Sequence, residues 1–171
     1  MKKLLIAAFA VSFGFASCND AATTNKSSDA RQKNIAASDM IDRAFHTGDV
    51  KIIDSAVTED FLDHTDQGDK KGRDSLKAMV TMVHTHFADM KIEKVKELAD
   101  DEFVFSWMKY SGTSDGSMGM PKGPYTMNSV EVSKFKDGKA TEHWAFVDMK
   151  EMMKMMPQMQ PSHNNTDTTH K

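Results

Sequence analysis

The chain has 171 residues, 39% hydrophobic and 27% charged, with one cysteine and a formal charge of -3, the composition of one globular domain with short additions. The acidic balance argues against nucleic acid and anionic lipid headgroups as partners. A lone cysteine excludes an intramolecular disulfide.

The N-terminal stretch reads as a targeting segment. Lys2 and Lys3 form a basic start, an apolar run extends from Leu4 to Phe15, and Phe15-Ala16-Ser17-Cys18 supplies a small-residue cleavage region. The run is shorter than the roughly 20 apolar residues a permanent spanning helix needs. Its end resembles a bacterial lipobox, with Phe15 where leucine is commonest. That resemblance implies a signal peptide over residues 1–17 and lipidation of Cys18, which becomes the first mature residue. More than one acyl chain on Cys18 would hold the protein on a membrane of the cell envelope, facing away from the cytoplasm. Residues 19–33 have no hydrophobic periodicity and nothing large to bury, so 18–33 reads as a flexible tether.

From Asn34 the pattern is helical. Ile35, Met40, Ile41, Ala44 and Phe45 form a stripe, and Gly48 is placed to end it. Asp49 is positioned to cap a short second helix through Ile52, Ile53 and Ala56. Residues 58–64 lead out of the helices. A third helix is expected over about 72–87, with Leu76, Met79, Val80 and Val83 at helical spacing. His84 and His86, two apart, point about 200° from each other on a helix and so do not share a metal ion.

The second half reads as strands over 91–99, 103–111, 125–135 and 139–148. Asp137-Gly138 between two such runs is a strong hairpin signal. The stretch 112–123 carries too many glycines and prolines for a strand. In the last strand Glu142, Trp144, Phe146 and Asp148 share one face, and Thr141, His143, Ala145 and Val147 share the other. The first face mixes aromatics with carboxylates, which suits either a pocket wall or an amphipathic strand with Trp144 and Phe146 in the core and the acids at its wet ends. Trp107 is expected in the core with Phe103 and Phe105. Helices followed by strands give an α+β domain over 34–156: a cone-shaped, curved antiparallel sheet packed against N-terminal helices, with a small-molecule site at its mouth.

Phe-Leu-Asp-His (61–64), Gly-Arg-Asp-Ser-Leu (72–76), Phe-Ala-Asp-Met (87–90), Ser-Gly-Thr (111–113), Lys-Asp-Gly-Lys and Glu-His-Trp with a closing Asp148 together resemble the SnoaL-like polyketide cyclase family of the nuclear-transport-factor-2-like superfamily. The resemblance implies a cone enclosing an apolar pocket, and cofactor-free, metal-free chemistry by a carboxylate acting as general acid and base. Asp148 is the first candidate for that carboxylate and Glu142 the second, with His64 as a proton shuttle or hydrogen-bond donor beside Asp63 at the mouth. Asp63, His64, Trp144, Phe146 and Trp107 form the expected ligand-binding set. Asp148 also stands where it would cap a helix beginning at Met149.

Met149, Met152, Met153 and Met156 fall at i, i+3, i+4 and i+7, the stripe of a terminal helix closing the cone mouth. Residues 157–171 read as disordered. Three functions compete: a lipoprotein that binds a small apolar or aromatic molecule, a lyase or isomerase working by acid–base chemistry, and copper binding by the Met- and His-containing C-terminus. Export favours the first, since polyketide assembly is cytoplasmic. A second copy of the chain is a further candidate partner.

Overall fold

The structure, a computed structural model, describes residues 20–155. Cys18, Met156 and the tail 157–171 lie outside them. Three helical elements come first: α1 (Asp20–Thr47), a 3-10 turn (Val50–Ile52) and α2 (Ile53–Ala56). Gly48 ends α1 in the left-handed region, at φ 74°, with its N–H on the carbonyl of Ala44 at 2.8 Å. Asp49 accepts the N–H of Lys51 at 3.1 Å and so caps the turn that follows. The residues expected as a tether are helical from Asp20 onward. Residues 20–33 contain neither proline nor glycine, so a helix anchored by the packed part of α1 propagates back through them at little cost.

Six strands follow: β1 (Val57–His64), β2 (Lys70–Lys71), β3 (Phe87–Ala99), β4 (Phe103–Ser114), β5 (Gly123–Lys136) and β6 (Lys139–Val147). Helix α3 (Arg73–His86) lies between β2 and β3, and α4 (Met149–Met155) closes the described chain. The sheet order is β2-β1-β6-β5-β4-β3. β1 runs parallel to β6 and the other pairs are antiparallel, so the sheet is mixed. β1 escapes sequence reading because its burial does not alternate. Val57 and Phe61 are buried, the residues between them are not, and the pairing with β6 shifts register over that stretch. The hairpin joining β5 and β6 turns at Asp137 and Gly138, at φ 53° and 74°, which fits the positive-φ turn that an Asp-Gly pair favours.

β4 runs on through Gly112 into the stretch expected as a loop. A Cβ on Gly112 would stand 2.9 Å from the carbonyl oxygen of Ala88, so close approach of β3, not a turn, explains this glycine. Register shifts within β3–β4 and β5–β6 bend the strands and give the sheet its concave face. Against the far end of that face pack Ala44, Ile53, Val57, Phe61, Val80 and Phe135, all buried.

The two faces are the reverse of the expectation for Trp107, Trp144 and Phe146. Cross-strand pairing aligns Trp107, Val130 and Phe146 in one row and Phe105, Val132 and Trp144 in the next. Both rows lie on the outer, convex side, where Trp107 is 51% and Phe146 59% exposed. Period two decides this: Val104, Ser106 and Met108 alternate as buried residues along β4, so Phe105 and Trp107 between them must point away. Helix α4 also departs from expectation, because Met149 is 60% exposed. The contact that holds α4 is polar: Glu151 accepts both the backbone N–H and the side-chain amide of Asn128, at 2.7 and 2.8 Å.

Candidate active site

Between the concave sheet face and helices α1 and α3 lies a cavity of about 340 Å³. α1 contributes Ile41 and Phe45, α3 contributes Leu76, Met79 and Val83, and the sheet adds Phe61, Phe87, Met127 and Val147. Met120 and Tyr125, from the loop before β5 and from β5 itself, complete the wall. Three carboxyl groups and one imidazole interrupt this apolar surface: Asp42, Asp63, Glu131 and His143.

Three of them form a line across neighbouring strands. β1 pairs Asp63 with His143 of β6, and Glu131 of β5 lies diagonally beyond. The His143 Nδ1–H donates to Asp63 at 2.8 Å and the Nε2–H donates to Glu131 at 2.8 Å. Glu131 is further held by the Tyr110 hydroxyl at 3.1 Å and by the Ser129 hydroxyl.

The charge states follow from these contacts. Burial alone would push the imidazole of His143 down, but the hydrogen bonds and charges of Asp63 and Glu131 prevail and raise it to about 9. It is an imidazolium at neutral pH. Burial would raise the Glu131 carboxyl, yet the His143 imidazolium and its hydroxyl donors hold it below the usual carboxylate range. Tyr110 is pushed well up by burial and by the charges of Glu131 and Asp42. Asp42, on α1, is raised by burial against the opposing pull of Lys94, whose ammonium lies 3.2 Å away.

Of the catalytic and ligand-binding candidates named from sequence, Asp63 alone reaches the cavity. Asp63 and His64 are adjacent on a strand, so they face opposite sides of the sheet. His64 stacks on Trp144, ring centroids 4.6 Å apart, and contacts Glu142 at 3.2 Å and Asp69 at 3.0 Å. Glu142 also pairs with Lys134 at 3.2 Å. His64, Glu142 and Trp144 are thus brought together, but away from the cavity. Asp148 is exposed and accepts the N–H of Lys150 at 2.7 Å. It caps α4, which is the alternative its position offered. Trp107 and Phe146 are on the convex side as well. His86 pairs with Asp115 at 2.8 Å and His84 packs against Gly48.

Sequence reasoning missed Asp42, Tyr110, Glu131 and His143. The signal for His143 was present, since it alternates with Glu142 and Trp144 and belongs to the face with Ala145 and Val147. Assigning the aromatic face to the interior hid it.

The profile of the SnoaL-like polyketide cyclase matches residues 35–156. The chain belongs to that family. A search of curated proteins returns no match. Among solved structures, this SnoaL-like domain is similar to TsrD from Streptomyces laurentii, at 16% identity and a TM-score of 0.66, covering 74% of this chain and 96% of that one. An NTF2-like protein of unknown function from Burkholderia pseudomallei is 23% identical with a TM-score of 0.61, over 72% of this chain and 97% of its own. An LEH-like epoxide hydrolase from M. tuberculosis is 14% identical with a TM-score of 0.61, over 75% and 92%. At these identities the likeness establishes the fold, and function rests on the site.

Proposed function

We propose that the cone binds a small, largely apolar molecule and moves a proton on it, in cofactor-free chemistry of the lyase or isomerase type. The observation that carries this reading is the Asp63–His143–Glu131 line on the wall of an otherwise apolar cavity. A wall serving containment alone has no need of buried charge, which is costly unless paired. Here the pairing is complete on one side and open on the other. Glu131 is occupied by three donors. Asp63 accepts one side-chain hydrogen bond among the described residues, at Oδ1, and its other oxygen is the base offered to a substrate C–H. The imidazolium orients Asp63 through the hydrogen bond from Nδ1. Asp42, raised by burial, is the group best placed to hold and return a proton.

The lipobox resemblance at Cys18 supports placing this domain on the outer side of a cell-envelope membrane, tethered by acyl chains. No helix of the described residues is long and apolar enough to cross a membrane.

A test needs no knowledge of the substrate. A panel of cyclic ketones and lactones is incubated with the protein in deuterium oxide, and exchange at carbon next to the carbonyl is followed by NMR. The proposal expects enzyme-dependent exchange on at least one compound that binds, lost in Asp63→Asn while binding persists. Binding throughout the panel with no exchange supports the second reading, a non-catalytic ligand-binding lipoprotein, which the export signal favours.

A further inference from the structure

Hydrogen-bonding capacity inside the cone is one-sided. The cavity wall carries three carboxylates, one imidazole and neither lysine nor arginine. Both imidazole N–H groups are committed to Asp63 and Glu131. The Tyr110 hydroxyl donates to Glu131, and the Ser106 hydroxyl donates to Glu97 at 3.4 Å. The imidazolium N–H groups and the Tyr110 and Ser106 hydroxyls are therefore turned toward the protein's own acceptors, and among the described residues the hydroxyls of Ser38, Ser133 and Tyr125 on the wall can turn either way. What remains for a ligand is carboxylate oxygen, foremost on Asp63.

The charge points the same way. With His143 protonated, the lining groups carry an excess of two negative charges when Asp42 is ionised and of one when it is not. Lys94 lies behind Asp42 and does not reverse this, because its ammonium is shared with Asp39 at 2.5 Å and Glu97 at 2.6 Å. A carboxylate ligand would be repelled, and a carbonyl oxygen would find neutral hydroxyl donors alone, from Ser38, Ser133 and Tyr125. A cation with N–H groups meets acceptors, and the rings of Phe45, Phe61, Phe87, Tyr110 and Tyr125 offer it π faces.

We infer that the ligand of the cone is a small hydrophobic amine, held as its ammonium ion against Asp63 with its apolar body among the phenylalanine and methionine side chains. This inference rests on reading the cone as a ligand site, as above, and is independent of whether the site is catalytic. The volume, near the lower end of the roughly 300–1,000 Å³ usual for such pockets, fits one ring with a short chain.

Three probes of matched size decide it: 2-phenylethylamine, 2-phenylethanol and 3-phenylpropanoate, titrated by calorimetry at pH 7. The amine is expected to bind at least tenfold more tightly than the alcohol, and the carboxylate to be weakest. Asp63→Asn keeps the side-chain volume and should abolish the amine preference while leaving alcohol binding within about threefold. Should that variant fail to fold, Asp42→Asn is expected to reduce the preference in the same direction by a smaller factor. Equal or tighter binding of alcohol or carboxylate overturns the amine inference and leaves the ligand-site reading standing. Failure of all three to bind overturns both.

Discussion

At the scale of single residues, His143 carries the most information about the site, and its protonation makes a stability prediction. Its folded-state value is raised from 6.5 to about 9. A raised value means the folded state binds the proton more tightly than the unfolded chain. The stabilisation is thus fully present below pH 6.5 and is lost as pH climbs to about 9. A shift of that size corresponds to a pH-dependent contribution on the order of 3 kcal/mol. Urea unfolding of the wild type and His143→Gln at several pH values should show a stability difference that shrinks across this window. A difference independent of pH would mean that His143 is neutral in the fold. Glu131 has the opposite sign: its depressed carboxyl stabilises the fold above the ordinary value of 4.5, and that contribution fades as pH falls below it. Asp63 was legible from the Phe-Leu-Asp-His motif. Glu131 and Tyr110 were not, because an acid or a tyrosine inside an alternating strand looks the same whichever face is wet.

At the scale of elements, most of the fold was legible: the helical stripe ending at Gly48, the cap at Asp49, the α3 helix and the Asp-Gly hairpin all rest on local rules of spacing and turn chemistry. The parity of the strands was not, since it depends on which face of a curved sheet the helices cover. Burial by hydrophobicity then misleads, because the concave face spends inward positions on Ser106, Glu131 and His143 while Trp107 and Phe146 look outward. Mutational cost should follow parity, not ring size. Trp107→Ala is expected to lower unfolding free energy by about 1 kcal/mol or less, and Phe61→Ala by about 3–5 kcal/mol, both read from denaturant midpoints at equal m-value. A large loss from Trp107 would show that the convex face is covered in solution. For α4 the same logic favours its polar tie. Glu151→Ala, which leaves the Asn128 amide groups without their acceptor, should cost about 1–3 kcal/mol, whereas Met149→Ser at an exposed position should be close to neutral.

At the scale of the whole molecule, helix α1 runs from the domain toward the proposed anchor and is described as far as Asp20. Asn34 is buried in the body of the protein, its side-chain amide donating to the carbonyls of Asp101 at 3.0 Å and Asp100 at 3.5 Å. α1 continues N-terminally from there to Asp20, a span that at 1.5 Å per residue reaches about 20 Å. If Cys18 carries the proposed lipid, a helical arm of this length would hold the cone off the membrane surface, and the lipid would localise the domain without burying its site. Two consequences follow from that separation. Cys18→Ala, expressed from the full coding sequence, should leave the membrane pellet and appear in the detergent-free soluble fraction or as an unprocessed precursor. The same variant, once purified, should melt within about 2 °C of the wild type and bind cavity probes with unchanged affinity, because among the described residues none before Ser38 lines the cavity. Wild type and variant fractionating identically would remove the lipid anchor from the proposal. A changed melting point or affinity would instead show that the N-terminal segment packs against the domain, and the arm would then be part of the fold.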